Sequence, residues 1–193
     1  KPFHVVPVFF FTEWATWNPI ELKGTEPAIV YRTVDATDPL VAQCRNPKTR
    51  QIECGRDSNG KPIYKRNVEH LNFVFMIVGD HPLKGVQAIY SFARGEHSAG
   101  SAFMALHNKR KARLCACVYE AQVAKREGSK GQWHGIDMYN PSVESKVAPF
   151  LTEAEFGTVK VLADELAEAH LKKMIMVSYD EPQDSPVVDS TTF

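Results

Sequence analysis

The chain has 193 residues, 44% apolar and 24% charged, with 23 basic side chains against 23 acidic. One domain with a substantial core is the default at this length, and the composition is that of a soluble globular protein. Four cysteines do not make a disulfide scaffold, so a reducing cytoplasm is expected. The longest uncharged apolar run, 71–79, is far too short to span a membrane, and no cleavable leader pattern follows the run Val5 to Phe11.

In chain order, Trp14, Trp17, Asn18 and Pro19 read as an irregular aromatic segment. Ala28 to Val34 is rich in β-branched residues and reads as a strand. Residues 43–66 form a basic insert, with Arg45, Lys48, Arg50 and Arg56 followed by Lys61, Lys65 and Arg66, against Glu53 and Asp57. A turn at Asn59-Gly60 makes it a hairpin or loop projecting from the body. Leu71 to Val78 is apolar at every register position but Asn72 and reads as a central buried strand. Val86 to Phe92 is a second strand, and 95–100 a loop. Ser101 to Ala112 is a short helix, Leu114 to Ala124 a third strand, and Gln132 to Tyr139 a fourth. Lys125 to Gly131 turns between the last two. Thr152 with Glu155 fits a capping box. Phe156, Val159, Leu162, Ala163, Leu166, Ala169 and Met174 then recur at helical steps, so a helix is expected over 153–174. Met174 to Tyr179 ends the body as a short strand.

These elements predict a mainly β protein with some α: an elaborated five-stranded barrel of the oligonucleotide-binding (OB) type, a C-terminal helix, and an acidic tail. Another antiparallel barrel and an α+β sandwich are the alternatives. The body would be 1–178 and the tail 179–193. The tail carries Asp180, Glu181, Asp184 and Asp189, no Lys or Arg, and a final Phe193. It is expected to be disordered, since it has too little apolar surface to offset its chain entropy. Without its four acids the remainder holds 23 basic against 19 acidic side chains. The overall neutrality is therefore a cancellation between a basic body and an acidic tail.

The strongest chemical pattern is basic residues interleaved with aromatics. Nine basic residues lie between Lys84 and Lys130, opposed by Glu96, Glu120 and Glu127. The densest groups are Lys109, Arg110, Lys111 and Arg113, then Lys125, Arg126 and Lys130. Cations follow phosphates and release counterions, while aromatic faces stack on unpaired bases. On strands, Arg113, Cys115, Cys117 and Tyr119 would share one face, and Trp133, Asp137 and Tyr139 another. Tyr119, Trp133 and Tyr139 are the expected stacking residues. Each also fits a core role taken singly; the pattern as a whole points to a groove for single-stranded nucleic acid. Cys44, Cys54, Cys115 and Cys117 would supply four thiolates for zinc, but their spacing is poor for a knuckle, and buried free thiols are the preferred reading. No cofactor is expected. No phosphate-binding loop, H-E-x-x-H or G-x-S-x-G occurs. Asp80-His81 and Glu96-His97 are the only pairs suggestive of a nuclease, and neighbours on a strand point to opposite faces.

The basic, aromatic body followed by DEPQDSPVVDSTTF resembles the plan of phage-type single-stranded DNA-binding proteins. The resemblance implies an OB-fold body that coats single-stranded DNA in replication, recombination or repair. It implies an acidic tail that recruits replication or recombination proteins through Phe193 and competes with DNA for the groove. The insert 43–66 is a departure from a minimal OB domain. The expected protein is not an enzyme and uses no membrane; a homodimer stays open. The alternatives are an interaction or virion component with a basic surface, and a small nuclease.

Overall fold

The computed structural model describes residues 1–18, 29–44, 51–56, 59–128, 131–175 and 177. Two long antiparallel strands form its spine. β1 (Phe3–Trp17) and β4 (Pro62–Val78) pair from His4↔Val78 to Trp17↔Arg66. Each has its second edge shared by two shorter strands. β1 pairs with β6 (Tyr119–Gly128) near its start and with β2 (Ile29–Thr33) near its end. β4 pairs with β3 (Gln51–Arg56) and then with β5 (Gln87–Ala93). β7 (Gly131–Tyr139) pairs with β6. Three α-helices, α1 (Pro39–Cys44), α2 (His97–Asn108) and α3 (Glu153–Leu171), and three short 3-10 turns complete the described elements.

Alternation on the spine explains its two-sided apolar pattern. Val5 lies opposite Ile77 and Phe10 opposite Phe73, and all four belong to the inner core. Five residues separate Val5 from Phe10, which strict alternation would put on opposite faces. A register shift between Pro7 and Phe9 corrects this. Pro7 has no N–H for the ladder, and a bulge is where a proline is tolerated in a sheet. The inner core gathers Phe73, Phe75, Phe92, Phe103 and Tyr119. The outer face carries Val6 and Val8 with the partly buried Met76 and Val78, and α3 covers it with Phe156, Val159, Leu162 and Leu166. The capping box that opens α3 is formed: the Glu155 amide donates to Thr152 Oγ1, and the Thr152 amide donates to the Glu155 carboxylate.

The architecture is mainly antiparallel β with a C-terminal helix. It departs from the expected five-stranded barrel in two ways. Among the described residues there are seven strands, and no ladder joins the outer strands to close the sheet. The segment at Trp14 and Trp17 is strand, with Trp14 buried in β1, and its irregularity is confined to a register shift against β2 between Thr16 and Trp17. Leu114 to Ala124 is not one strand. Leu114–Ala116 forms a 3-10 turn, and β6 begins only at Tyr119. The chain leaves the sheet there because Cys117 bridges to Phe150 instead. Residues 95–100, expected as loop, end a 3-10 turn and open α2, four residues ahead of the expected helix start. α3 ends at Leu171 rather than Met174. The basic insert does contain a hairpin, β3–β4, but it continues into the central strand. Met174, Ile175 and Val177 lie in no strand. The tail residues Asp180, Glu181, Asp184, Asp189 and Phe193 lie outside the described residues. Among the described residues no helix is long and apolar enough to cross a membrane.

Candidate nucleic-acid interface

The short 3-10 turn Arg94–Glu96, between β5 and α2, organises the most chemically dense part of the surface. Each of its three residues holds something different. Arg94 has φ +51°, a conformation uncommon outside glycine. Its guanidinium sits 4.7 Å from the ring centre of Trp17. Trp17 in turn stacks on His70, at 6.2 Å between ring centres and 25° between planes. His70 is buried and meets Ser91 Oγ at 2.9 Å. Burial, then the neighbouring Arg94 and Arg32 charges, push its pKa down to about 4, so the ring is neutral at physiological pH.

Gly95 makes room for an indole. A Cβ there would stand 2.7 Å from the Trp133 ring, closer than any side chain allows. Glu96, almost fully buried, accepts from Trp133 Nε1 at 3.0 Å and from Arg126 Nε at 3.0 Å. Arg126 also donates to Asp137, at 2.6 Å and 3.2 Å. These bonds hold the Asp137 carboxyl below the usual carboxylate range and raise the Arg126 guanidinium further. Arg126 lies opposite Trp133 in the β6–β7 register, so Trp133, Gly135, Asp137 and Tyr139 share its face. A Cβ on Gly135 would collide with the Glu96 carboxylate, so only glycine lets the acid reach across. Trp133 remains 37% exposed and Tyr139 46%. The Tyr139 hydroxyl helps hold the Asp137 carboxyl down.

The same contacts span the gap between β5 and β7, which no ladder fills. Tyr90 on β5 and Ile136 on β7 both pack against the inner core, and burial raises the Tyr90 phenol pKa. Glu96 and Gly95 then tie the end of β5 to Arg126 and Trp133.

The expected site residues do not form one groove. Tyr119 is fully buried, edge-on to Phe103, with its hydroxyl 2.9 Å from His107 Nδ1. Burial drives its phenol pKa upward, and no base can reach its face. Arg110 turns inward. It donates to Asn140 Oδ1 and to the Val118 and Pro149 carbonyls, and it covers the Tyr119 ring at 4.1 Å. Arg126 is committed to two carboxylates rather than offered to solvent. Lys109, Lys111 and Arg113 are exposed at the C-terminal end of α2. Lys125 is exposed far along β6, opposite His134. Seven residues separate Tyr119 from Arg126, roughly 23 Å at strand rise. The continuous basic segment of the sequence is thus two patches, one at each end of β6. Lys130 lies outside the described residues.

Arg113, Cys115, Cys117 and Tyr119 do not share a strand face either. Cys115 packs in the outer core against Val6 and Val8, and Cys117 in the inner core beside Tyr119. Burial raises the Cys115 thiol pKa. The side chains of Cys44 and Cys54 lie outside the described residues, and among the described residues no group of three or more His, Cys, Asp or Glu is placed to hold a metal. Glu96 and His97 diverge: Glu96 meets Arg126, and His97 Nε2 meets Glu69 at 2.9 Å. Sequence reading missed Trp17, Arg94 and Glu96 as a unit. The one local signal was a glycine just after a strand, flanked by opposite charges. Comparison with protein-family models, with curated proteins and with solved structures found no match for this chain.

Proposed function

We propose that the protein binds single-stranded DNA across the surface where Trp17, Arg94 and Trp133 meet. Five of the strands run in the order β5-β4-β1-β6-β7, with α2 between β5 and β6. An OB fold has this order, counted as strands 3-2-1-4-5, and its barrel is often partly open. Oligonucleotides cross its second and third strands, between the loop joining strands 1 and 2 and the loop joining strands 4 and 5. The corresponding parts here are β4, β5, the connection 18–61 and the β6–β7 turn. β2 and β3 belong to that enlarged connection. The observation that carries the reading is the Arg94–Glu96 turn. It sets a cation over Trp17, which leads into the connection, and seats Trp133 beside the β6–β7 turn.

A partly exposed indole offers a stacking face of about 1–3 kcal/mol per base, and the exposed Arg94 beside Trp17 supplies charge for phosphates. The role this supports is coating and protecting single-stranded DNA during replication, recombination or repair. The acidic segment 179–193 is assigned to recruiting protein partners on the sequence resemblance alone.

Tryptophan fluorescence during oligo-dT titration tests the reading. Quenching is expected, with single strands bound more tightly than duplex and affinity falling steeply with salt. Trp133→Ala should weaken binding by about 1–3 kcal/mol while the protein stays folded. Equal affinity for duplex, or binding indifferent to salt, would refute it.

A further inference from the structure

We propose that a bound strand is held at two separate stations, the second being a phosphate-binding patch at the C-terminal end of α2. The inference rests on the single-strand reading above and adds a second place of contact, with a consequence for strand length. Lys109, Lys111 and Arg113 are all exposed there, and none forms an ion pair with a described residue. Arg126, at the other end of β6, has two carboxylates. The helix dipole accounts for a cation in or just after the last turn, such as Lys109. It does not account for Lys111 and Arg113, which lie beyond the helix.

The scaffold under these cations is firmly built. Arg110 joins the end of α2 to Asn140, Val118 and Pro149, and its guanidinium lies between the Tyr119 and Phe150 rings, 4.1 Å and 5.6 Å away. Lys111 is held at φ +51°, a left-handed conformation uncommon for a residue with a side chain. Phe150 and Tyr139, each 46% exposed, offer aromatic faces at this end. The acids close by do not cancel the charge. Glu120 is buried and accepts from Gln122 and the Ser142 amide; Asp164 of α3, which also lies near Cys115, is paired with Lys160; Glu144 is exposed. Burial, then the neighbouring Arg110 charge, lowers the His107 pKa, which disfavours a further charge there.

Tyr119, beside the second station, and Arg126, beside the first, are seven positions apart on β6, roughly 23 Å at strand rise. At about 3.4 Å per stacked nucleotide, a strand needs roughly seven nucleotides to reach both. Shorter strands touch one station only.

The experiment is an oligo-dT ladder from about 4 to about 16 nucleotides, the range of OB-type site sizes. It is run on the full chain and on a variant carrying Lys109→Gln, Lys111→Gln and Arg113→Gln. The unaltered protein should gain affinity in a step near seven to ten nucleotides (about one strand span). The variant should bind the shortest oligonucleotides as the parent does and lose the step. For long strands the slope of log affinity against log salt should shrink by roughly 2, at about 0.7 for each phosphate no longer neutralised. Equal loss at every length, or no loss on long strands, overturns the second station. A smooth rise without a step in the unaltered protein overturns it too, and needs no variant. Those results leave the first interface standing. An unaltered protein that binds no oligonucleotide of any length overturns both.

Discussion

Tyr119 and Trp133 look alike in the sequence, each an aromatic beside basic residues. Their neighbours decide otherwise. Tyr119 starts β6 opposite Val5, deep in the inner core. Trp133 sits where β6 and β7 have run past the core, beside Gly95 and Gly128 and hydrogen-bonded to Glu96, and stays partly exposed. His70 shows the same rule in a titratable group. Its folded pKa is depressed to about 4 from an ordinary 6.5. Between those values the unfolded chain binds more protons, so acidification across that window favours unfolding. The full loss from this residue is on the order of 3 kcal/mol. Urea midpoints should therefore fall between neutral pH and about pH 4.5. His70→Gln should flatten that fall. A variant with the parent's full pH dependence would place the acid sensitivity in other groups.

At the scale of elements, α3 is the clearest case of a local signal that tertiary structure respects. Thr152 and Glu155 reciprocate their hydrogen bonds, and the apolar stripe from Phe156 to Leu166 covers Val6 and Val8. Thr152→Ala should cost about 1 kcal/mol of stability, and Thr152→Ser should recover most of it. Thermal melts of the two variants check this; equal melting temperatures would mean the cap adds nothing. The strand of Leu71 to Val78 was equally legible, because burial on both faces writes a continuous apolar run. β1 was less so: Pro7 and the bulge break its alternation, and Glu13 and Thr16 are polar yet buried. The 3-10 turn at Leu114–Ala116 was illegible, because Cys117 and Val118 have strand-like composition and only partners distant in sequence, Phe150 and Pro149, draw them out of the sheet. The candidate interface was half legible for the same reason. Trp133 stood out by type, but the Glu96–Arg126–Asp137 clamp depends on a register that composition does not reveal.

On the scale of the whole molecule, the balance of 23 basic and 23 acidic side chains conceals a separation of charge along the chain. The structure adds where the acidic segment is rooted. Val177 is buried, and its carbonyl accepts from Arg32, which also pairs with Glu13 at 2.8 Å. Arg32 lies opposite Ala15, two residues from Trp17. Val177, two residues before the acidic segment begins, is therefore fixed near the Trp17 end of the spine. A covalently joined anion acts at high effective concentration on nearby cations. Removing 179–193 should tighten binding of oligo-dT several-fold at low salt. The gain should shrink as ionic strength rises and the screening length falls to about 10 Å near 0.1 M. Phe193→Ala should leave DNA affinity nearly unchanged while weakening recruitment of protein partners. Arg32→Ala, which frees the root, should produce part of the deletion's effect with every tail carboxylate still present. If the shortened protein binds oligo-dT with the parent's affinity at every salt concentration, the acidic segment does not compete for this surface, and the charge separation has no bearing on binding.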